Sequence, residues 1–370
     1  GWRFSRAIIR VAANIPYEDA QAAIDGKKPH ELTDAALKPL WACWQVLKKA
    51  RDSRNPLELD LPERRVVLDE AGQIISVAVR ERLDAHMLIE DYMIAANVAA
   101  AKALESRKAP VMYRVHEPPN REKLVALKDY LATYDIGFAL GQVITPATFN
   151  RLIERLKDHE ARPIIMEQIL RSQTQAYYSP SNKGHFGLGL EKYCHFTSPI
   201  RRYSDLVVHR ALIALLNLNG KKAPTAGKEA QKSLSGIAEH ISQTERRAMQ
   251  AEREATDRYV TAYLSNQLRA DFSGVITSIG TYGMFVTLDE TGASGIIRMS
   301  ELGRDFYQYD ERHHSLIGRD TGERFQLGQR VSVTLIAADV TLGSLRFALL
   351  SAQKLPPLPK LPYRGKSKKF

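Results

Sequence analysis

The spacing of apolar residues predicts that most of the chain before residue 269 is helical. Between residues 34 and 51, five apolar residues recur at helical spacing and would share one face: Leu37, Leu40, Trp41, Trp44 and Leu47. Residues 84–106 contain no glycine or proline and are rich in Ala, Met, Leu and Ile, which predicts one long helix. Caps and helix breakers place further helices over residues 16–26, 120–133, 146–159, 163–177, 207–218 and 229–267.

Alternation of apolar and polar residues predicts strands, mainly towards the end of the chain. Residues 64–68 and 74–79 alternate on either side of a turn sequence and predict a hairpin. Residues 111–116 predict a strand, and so do residues 185–190, whose glycines would permit close backbone approach. Five short apolar segments then follow one another: 272–279, 283–288, 295–297, 330–337 and 345–350. Five such strands are typical of an OB barrel.

Together these patterns predict an α+β protein with three parts. Residues 1–268 would form a mixed domain of helices and strands, and residues 269–352 a five-stranded OB barrel. Residues 353–370 contain Pro, Lys and Arg without core positions, so we expect a basic tail there. A further basic stretch, residues 221–228, is predicted to be a loop.

The charge balance favours a polyanionic partner. The chain has 53 Lys and Arg against 42 Asp and Glu, a formal net charge of +11, which favours nucleic acid. A membrane is less favoured, because the longest apolar runs, such as residues 211–216, are too short to span a bilayer. Cys43 and Cys194 lack the spacing of a zinc site or a disulfide framework, which suits a reducing cytoplasm. Residues 1–6 contain no initiator Met and no signal-peptide core, so we expect the chain to begin inside a longer protein.

The densest candidate chemistry lies in residues 193–210, where an extended segment is predicted to enter a helix. Thr197 or Ser198 would cap that helix, and Pro199 would occupy its first turn, where a missing N–H costs nothing. The first-turn amides would then remain free to bind an anion at the positive end of the helix dipole.

Two consecutive arginines, Arg201 and Arg202, add guanidinium groups to the same predicted helix start. Cations there are unfavourable for the helix alone, but a bound phosphodiester would reverse that penalty. A second interpretation is that Asp205, one turn further on, simply pairs with one of the two arginines. The spacing alone leaves both interpretations open.

The residues of this motif resemble the signature of a known enzyme family. Residues 195–203 read HFTSPIRRY and are followed by Asp205 and by His209-Arg210, which resembles the ribonuclease II and ribonuclease R exoribonucleases. Residues 182–188, NKGHFGL, are closer to the ribonuclease R spelling. Residues 88–97 and 243–248 resemble two helices of the same family. The resemblance extends over residues 6–351.

This resemblance implies a 3′-to-5′ exoribonuclease that hydrolyses RNA with Mg²⁺ and releases nucleoside 5′-monophosphates. Arg201 would bind and polarise the scissile phosphate, and Glu90 would position the 3′-terminal sugar. Without the resemblance, Glu90 would be interpreted as an ordinary solvated acid. The further candidates for substrate binding in the motif are Tyr193, His195, Ser198 and Arg202. Single-stranded RNA is the expected partner.

The predicted barrel has its own resemblance. Phe272 with Gly274, and residues 282–286 (YGMFV), resemble the RNA-binding OB domain first recognised in a small-subunit ribosomal protein. Such domains stack bases on exposed aromatics, for which the candidates are Phe272, Tyr282 and Phe285, with Arg298 as a further contact. Barrel interiors also contain aromatics, so each could instead be a core residue.

The resemblance implies metal ligands that this sequence lacks. Hydrolysis by two metal ions needs carboxylates that hold both ions a few ångströms apart, and in the family they come from an upstream aspartate cluster. The acidic residues here are dispersed: Asp52, Glu58, Asp60, Glu90, Asp91, Asp289 and Glu290. We therefore predict no metal ligand in this chain, and expect it to carry the RNA channel and the OB domain but to be inactive alone. The alternative is a non-catalytic RNA-binding protein that retains the channel.

Overall fold

The computed structural model describes residues 1–355, except residues 60, 62–63, 71–73, 80, 219–227, 304 and 311–314. Nearly all of the predicted basic tail and of the predicted loop at residues 221–228 therefore lies outside the described residues. Contacts within the chain define two compact units. The first contains Gly1–Arg65 and Val79–Glu254, and the second contains Val66–Ala78 and Ala255–Phe370.

The helices of the first unit confirm the predicted ones in type and order. They are Tyr17–Ile24 (α1), Lys38–Arg54 (α2), Asp84–Glu105 (α3), Arg121–Ala132 (α4), Pro146–Arg155 (α5), Arg162–Ser172 (α6) and Tyr203–Leu215 (α7). A long helix, Lys228–Ser265 (α8), continues into the second unit. None of the described helices is long and apolar enough to cross a membrane.

Two details of the predicted helices are wrong. The helix predicted from residue 34 begins with a π-helical turn, Thr33–Leu37, and Leu40 on its predicted apolar face is 40% exposed. Trp44 on the same face is fully buried, and its indole nitrogen donates to the buried Asp91 carboxylate at 2.8 Å. The helix predicted over residues 163–177 ends at Ser172, since Gln173 has extended backbone angles.

The alanine-rich half of α3 packs in the core of the first unit. Ala100 and Ala101 are fully buried in one cluster with Val208 and Leu212 of α7. Short alanine side chains let the two helices approach closely, and interiors are packed to the density of organic crystals. The helix that carries Glu90 therefore lies against the helix that follows the motif.

The strands of the first unit pair with each other and contact the motif. Tyr113–Val115 (β3) pairs antiparallel with Tyr177–Ser179 (β4), which confirms the strand predicted over residues 111–116. Tyr113 also forms a bridge with Cys194 of the motif. Residues 185–190 do not form the predicted strand: they form a turn closed by a bridge between His185 and Leu190. Gly189 in this turn has φ +60°, which favours glycine and ends any extended run.

The second unit contains the predicted five-stranded barrel. Its strands are Asp271–Gly280 (β5), Gly283–Leu288 (β6), Ser294–Arg298 (β7), Arg330–Asp339 (β11) and Ser344–Ala352 (β12). They close in the order β11-β12-β7-β6-β5 around a core of alternate side chains that includes Met284, Val286 and Phe347. The predicted fold class, α+β with a terminal OB barrel, is confirmed.

Two features of this unit were not predicted. A three-stranded sheet of Tyr307–Asp310 (β8), Ser315–Gly318 (β9) and Arg324–Gln326 (β10) is inserted between β7 and β11. The predicted hairpin, Arg64–Leu68 (β1) and Ile74–Val79 (β2), is confirmed, but Val66 and Val77 pack against the barrel core. Contacts thus assign residues 66–78, and the chain from residue 255, to the barrel unit instead of the mixed one.

Candidate nucleic-acid interface

The motif enters the site as an extended segment. The Tyr193 carbonyl accepts a hydrogen bond from the Arg114 amide at 2.9 Å, beside the bridge to β3. Three residues on, the Phe196 ring stacks on His209 of α7, with 4.5 Å between ring centroids. The His209 Nε2 lies 2.8 Å from the Phe196 carbonyl oxygen. The segment is therefore fixed to β3 at one end and to α7 at the other.

The predicted helix start is wrong. Helix α7 begins at Tyr203, so neither Thr197 nor Ser198 caps it and Pro199 lies outside its first turn. The Ser198 carbonyl instead accepts hydrogen bonds from the Arg201 and Arg202 amides, at 3.3 and 3.1 Å, which forms a tight turn. We call residues 198–201 the arginine turn. Its first amide is not free for an anion, because the Ser198 N–H donates to the Asp205 carboxylate at 2.7 Å.

Asp205 decides how the two arginines differ. Its side chain is fully buried and accepts two hydrogen bonds from the Arg202 guanidinium, at 2.9 and 2.8 Å. The Ser204 hydroxyl donates to the same carboxylate at 3.0 Å. A buried carboxylate is stable only when it is paired and hydrogen-bonded, and this one is both. Arg202 thus holds the arginine turn in place, as the second interpretation of the sequence required.

Arg201 has the opposite environment. Its side chain is exposed and makes no hydrogen bond or ion pair with the described part of the chain. Its neighbour Ile200 is fully exposed as well. A guanidinium group carries five donors in a planar fork suited to phosphate, so Arg201 presents an anion-binding group on a turn that Asp205 and Arg202 keep rigid.

A series of neighbouring aromatic rings runs through the motif and the residues packed against it. Centroid distances of 5.2 to 5.7 Å join neighbouring rings in the order His116, His185, Tyr193, His195 and Tyr178. The Tyr178 hydroxyl lies 2.9 Å from the His195 Nδ1. Tyr193 and Tyr178 are buried, so they pack behind the motif and do not offer a face on which a base could stack.

Burial sets the charge of the two central histidines. Burial, with the positive charges of Arg202 and Arg114 nearby, lowers the pKa of His195 to about 2. Burial, with His116 and Arg114 nearby, lowers the pKa of His185 to about 3. Both imidazoles are neutral at pH 7 as a result, so these two histidines add no positive charge to that of Arg114, Arg201 and Arg202.

Glu90 lies on the exposed side of α3. Its carboxylate accepts from the Arg82 guanidinium at 2.9 Å, and both side chains are about half exposed, 52% and 53%. The neighbouring Asp91 is buried, and its carboxylate accepts hydrogen bonds from the Trp44 indole and, at 2.9 Å, from the Arg51 guanidinium. Of these two consecutive acids, only Glu90 remains accessible to a ligand.

The carboxylates around the motif do not fit Mg²⁺. Asp91 and Asp205 are buried and already bonded to cationic or N–H groups, and Glu90 pairs with Arg82. Mg²⁺ needs oxygen ligands that converge on one point with near-octahedral geometry. Among the described residues, no group of three or more His, Cys, Asp or Glu side chains is arranged to hold a metal ion.

A second candidate surface lies on the outside of the barrel. Tyr282 is 47% exposed and its ring packs edge-on against Phe285, at 5.7 Å between centroids. The Tyr282 hydroxyl lies 2.8 Å from that of Ser278. Arg298 is exposed and its backbone pairs with Gly283 on the adjacent strand. Two aromatic rings and one guanidinium group therefore share one barrel face.

Phe272 is placed differently from the other two barrel aromatics. It is only partly exposed and packs against the barrel core, on the strand face that also carries the buried Ile276. Met284 is fully buried in the same core. The structure therefore favours the core interpretation for Phe272, whose contact with RNA stays a prediction.

We expect alanine substitutions to separate these aromatics. Tyr282→Ala or Phe285→Ala should each weaken RNA binding by about 1–3 kcal/mol, the value of one base stacked on an aromatic ring. Phe272→Ala should instead lower stability by about 2 kcal/mol, because it removes packing from the barrel core. Fluorescence titration with a labelled oligoribonucleotide and thermal unfolding measure the two effects. A loss of affinity for Phe272→Ala at unchanged melting temperature would return this residue to the RNA surface.

Comparison with known proteins agrees with this geometry. The RNB domain family matches residues 1–218, and the S1 RNA binding domain family matches residues 269–349. The chain is 32% identical to ribonuclease R of Escherichia coli (strain K12) over 365 residues, which cover 96% of this chain and 45% of that protein. This chain belongs to the RNB domain family. It spans about half the length of the curated relatives it matches.

Further ribonuclease R proteins support the assignment. The Thermotoga maritima enzyme is 38% identical over 307 residues, 83% of this chain and 43% of that protein. The solved structure of Mycoplasma genitalium RNase R in complex with ribose methylated single-stranded RNA superposes with a TM-score of 0.84 at 28% identity. That superposition covers 90% of this chain and 53% of that chain.

Sequence reasoning missed several residues that the fold places around the motif. They are Asn97, Arg114, Tyr178 and His185. Asn97 carries a visible signal, because it is an amide in an otherwise alanine-rich stretch of α3. Arg114 and Tyr178 carry none, since only the pairing of β3 with β4 brings them to the motif.

Proposed function

We propose that this chain is part of a 3′-to-5′ exoribonuclease of the ribonuclease R type, which hydrolyses RNA to nucleoside 5′-monophosphates. The observation that carries the proposal is the difference in environment between two consecutive arginines. Arg202 is bound to the buried Asp205, whereas Arg201 is exposed on the rigid arginine turn. A preorganised guanidinium group that costs no rearrangement is suited to the charge that develops on a phosphoryl group in transit.

In this proposal Arg201 binds the scissile phosphate and Glu90 positions the 3′-terminal sugar. A carboxylate accepts hydrogen bonds from ribose hydroxyls, and the half-exposed pair of Glu90 with Arg82 is easily exchanged for such bonds. Tyr193, His195 and Ser198 shape the wall beside the phosphate, while Tyr282, Phe285 and Arg298 hold single-stranded RNA on the barrel. The Mycoplasma genitalium relative solved with single-stranded RNA supports this class of substrate.

We propose that the Mg²⁺ required for hydrolysis is held by carboxylates that this chain does not supply. When bound, the metal would stabilise charge on the attacking and leaving oxygens. The acids of this chain near the motif have other partners: Asp205 bonds to the arginine turn, Asp91 joins α2 to α3, and Glu90 pairs with Arg82 at the position proposed for the sugar. We also propose a cytoplasmic location, which the two free thiols of Cys43 and Cys194 support.

The isolated chain should bind single-stranded RNA without hydrolysing it. Binding should weaken steeply with salt, because each phosphate contact releases counterions: about 10³-fold or more between 50 and 200 mM salt for six or more contacts. Filter binding across a salt series, and denaturing gels of end-labelled RNA with Mg²⁺, make both measurements. Release of mononucleotides by the pure chain would overturn the assignment of the metal ligands.

Hydrolysis should return when the chain is tested as part of the full-length protein. A full-length protein that binds RNA but releases no mononucleotide would support the alternative, a non-catalytic RNA-binding protein that retains the channel. Failure of the isolated chain to bind RNA at all would count against both functions.

A further inference from the structure

Asn97 joins α3 to the motif. It is 2% exposed, and both ends of its side-chain amide are bonded to the extended segment before the arginine turn. Its Nδ2 donates to the Tyr193 hydroxyl at 3.1 Å, and its Oδ1 accepts from the Phe196 amide at 2.8 Å. Its own carbonyl accepts from the Cys194 thiol at 3.4 Å. One residue of α3 therefore contacts three of the four residues from 193 to 196.

These bonds fix the position of residues 193–196 along α3 as well as their contact with it; we call this position their register. An apolar side chain at this position would specify the register less strictly, because hydrophobic contact has no preferred direction. An amide with a donor and an acceptor is satisfied in one register only, and a slide would leave buried polar groups without partners. A single buried Asn sets the register of paired helices by the same principle.

The register connects the two groups that the proposed function uses. Glu90 precedes Asn97 by seven residues, so the two lie on nearly the same face of α3, about 10 Å apart along its axis. Arg201 follows Phe196 by five residues, through the arginine turn. Asn97 is thus the bonded link between the helix of one group and the segment that leads to the other.

We propose that Asn97 is a positioning residue, which holds the arginine turn at a fixed place relative to the exposed face of α3. It touches no substrate and acts through Tyr193 and Phe196. The consequence for RNA, that one 3′ end meets Glu90 and Arg201 together, rests on the proposed function. The positioning itself is a property of the free protein and is measured without RNA.

The test measures a distance between two spin labels on the whole chain. Labels attached through Ile89→Cys on α3 and Ile200→Cys on the arginine turn use side chains that are both exposed, 39% and 102%. Cys43→Ser removes the exposed native thiol, and Cys194 is buried. With Asn97 present, the distance distribution should be narrow. Asn97→Leu, which keeps the size and loses both bonds, should widen it about twofold, as expected for a segment released from local order.

Two further variants separate positioning from general stability. Ile94→Ala removes a core side chain from the same helix, 8% exposed, and should lower the melting temperature while leaving the distance distribution narrow. Asn97→Asp should show a pH-dependent rescue, because a protonated carboxyl offers one donor and one acceptor like the amide. Its distribution should narrow again as the pH falls through the raised pKa of a buried carboxyl.

The outcomes distinguish the inference from the proposed function. A distribution that stays narrow in Asn97→Leu, or widens equally in Ile94→Ala, would overturn the positioning role whatever the chain does with RNA. RNA affinity of the unlabelled chain is the separate readout, and Asn97→Leu should weaken it about tenfold, the effect of 1.4 kcal/mol. If the unsubstituted chain binds no RNA while the labels respond as expected, the proposed function fails and the positioning role stands.

Discussion

Replacing Arg201 with lysine in the full-length protein is expected to lower the single-turnover rate of RNA cleavage about 10²- to 10³-fold, the cost of removing one preorganised stabiliser of transition-state charge. The equilibrium affinity for RNA should change little, because many other basic groups share the binding. Lysine keeps the positive charge but not the planar fork that meets two phosphoryl oxygens at once. Quench-flow cleavage of a short labelled RNA, beside its dissociation constant, gives both quantities.

The matched control for this experiment is Arg210, and not the neighbouring Arg202. Arg202 is unsuitable as a control, because its guanidinium is bonded twice to the buried Asp205 and a substitution there would also affect folding. Arg202→Lys should change the cleavage rate of the folded protein little. It should mainly lower the free energy of unfolding. Arg210→Lys on α7, an exposed arginine that lies over the Tyr203 ring at 5.8 Å, is the matched control, with both rate and affinity near the parent values. If Arg201→Lys reduces affinity alone, Arg201 is only part of the basic lining and the catalytic contact has been misassigned.

Replacing Asp205 with alanine is expected to cost about 3–5 kcal/mol of unfolding free energy, the range for breaking a buried ion pair from one side. The substitution leaves the Arg202 guanidinium, 15% exposed in its side chain, without its carboxylate. It also leaves the Ser198 amide without its hydrogen-bond acceptor, so that the arginine turn loses its bond to α7. Urea unfolding of the isolated chain measures the loss, through a midpoint shift at constant slope.

An exposed ion pair in the same unit provides the comparison for Asp205. Asp34 pairs with Lys38 one helical turn away at 2.5 Å, and its side chain is 85% exposed. Such pairs contribute at most about 0.5 kcal/mol, so Asp34→Ala should barely move the midpoint. Should Asp205→Ala prevent folding altogether, Asp205→Asn keeps the shape and tests the charge alone. Equal small effects at the two positions would mean that Asp205 does not hold the arginine turn.

Local periodicity in the sequence was enough to predict the order of the helices and the five barrel strands, although not all of their ends. The glycine-free run at residues 84–106 gave α3, and five alternating segments gave the closed barrel. The motif at residues 195–203 was sufficient to suggest a resemblance to the ribonuclease II and ribonuclease R exoribonucleases, and the match over residues 1–218 shows that the chain belongs to the RNB domain family. Each of these inferences used residues close together in the chain.

Tertiary structure alone decided which arginine of the motif is available. Two adjacent arginines look alike in sequence, and the capping preferences of Thr197 and Ser198 predicted a helix start before them. The helix begins later because the buried Asp205 carboxylate needs hydrogen-bond donors, and the Ser198 amide and Arg202 supply them. The burial of Asp205 therefore outweighs the local capping preferences. The same reason explains why Asn97 was missed. Its two partners lie about a hundred residues away, so its role exists only once α3 and the motif have packed together.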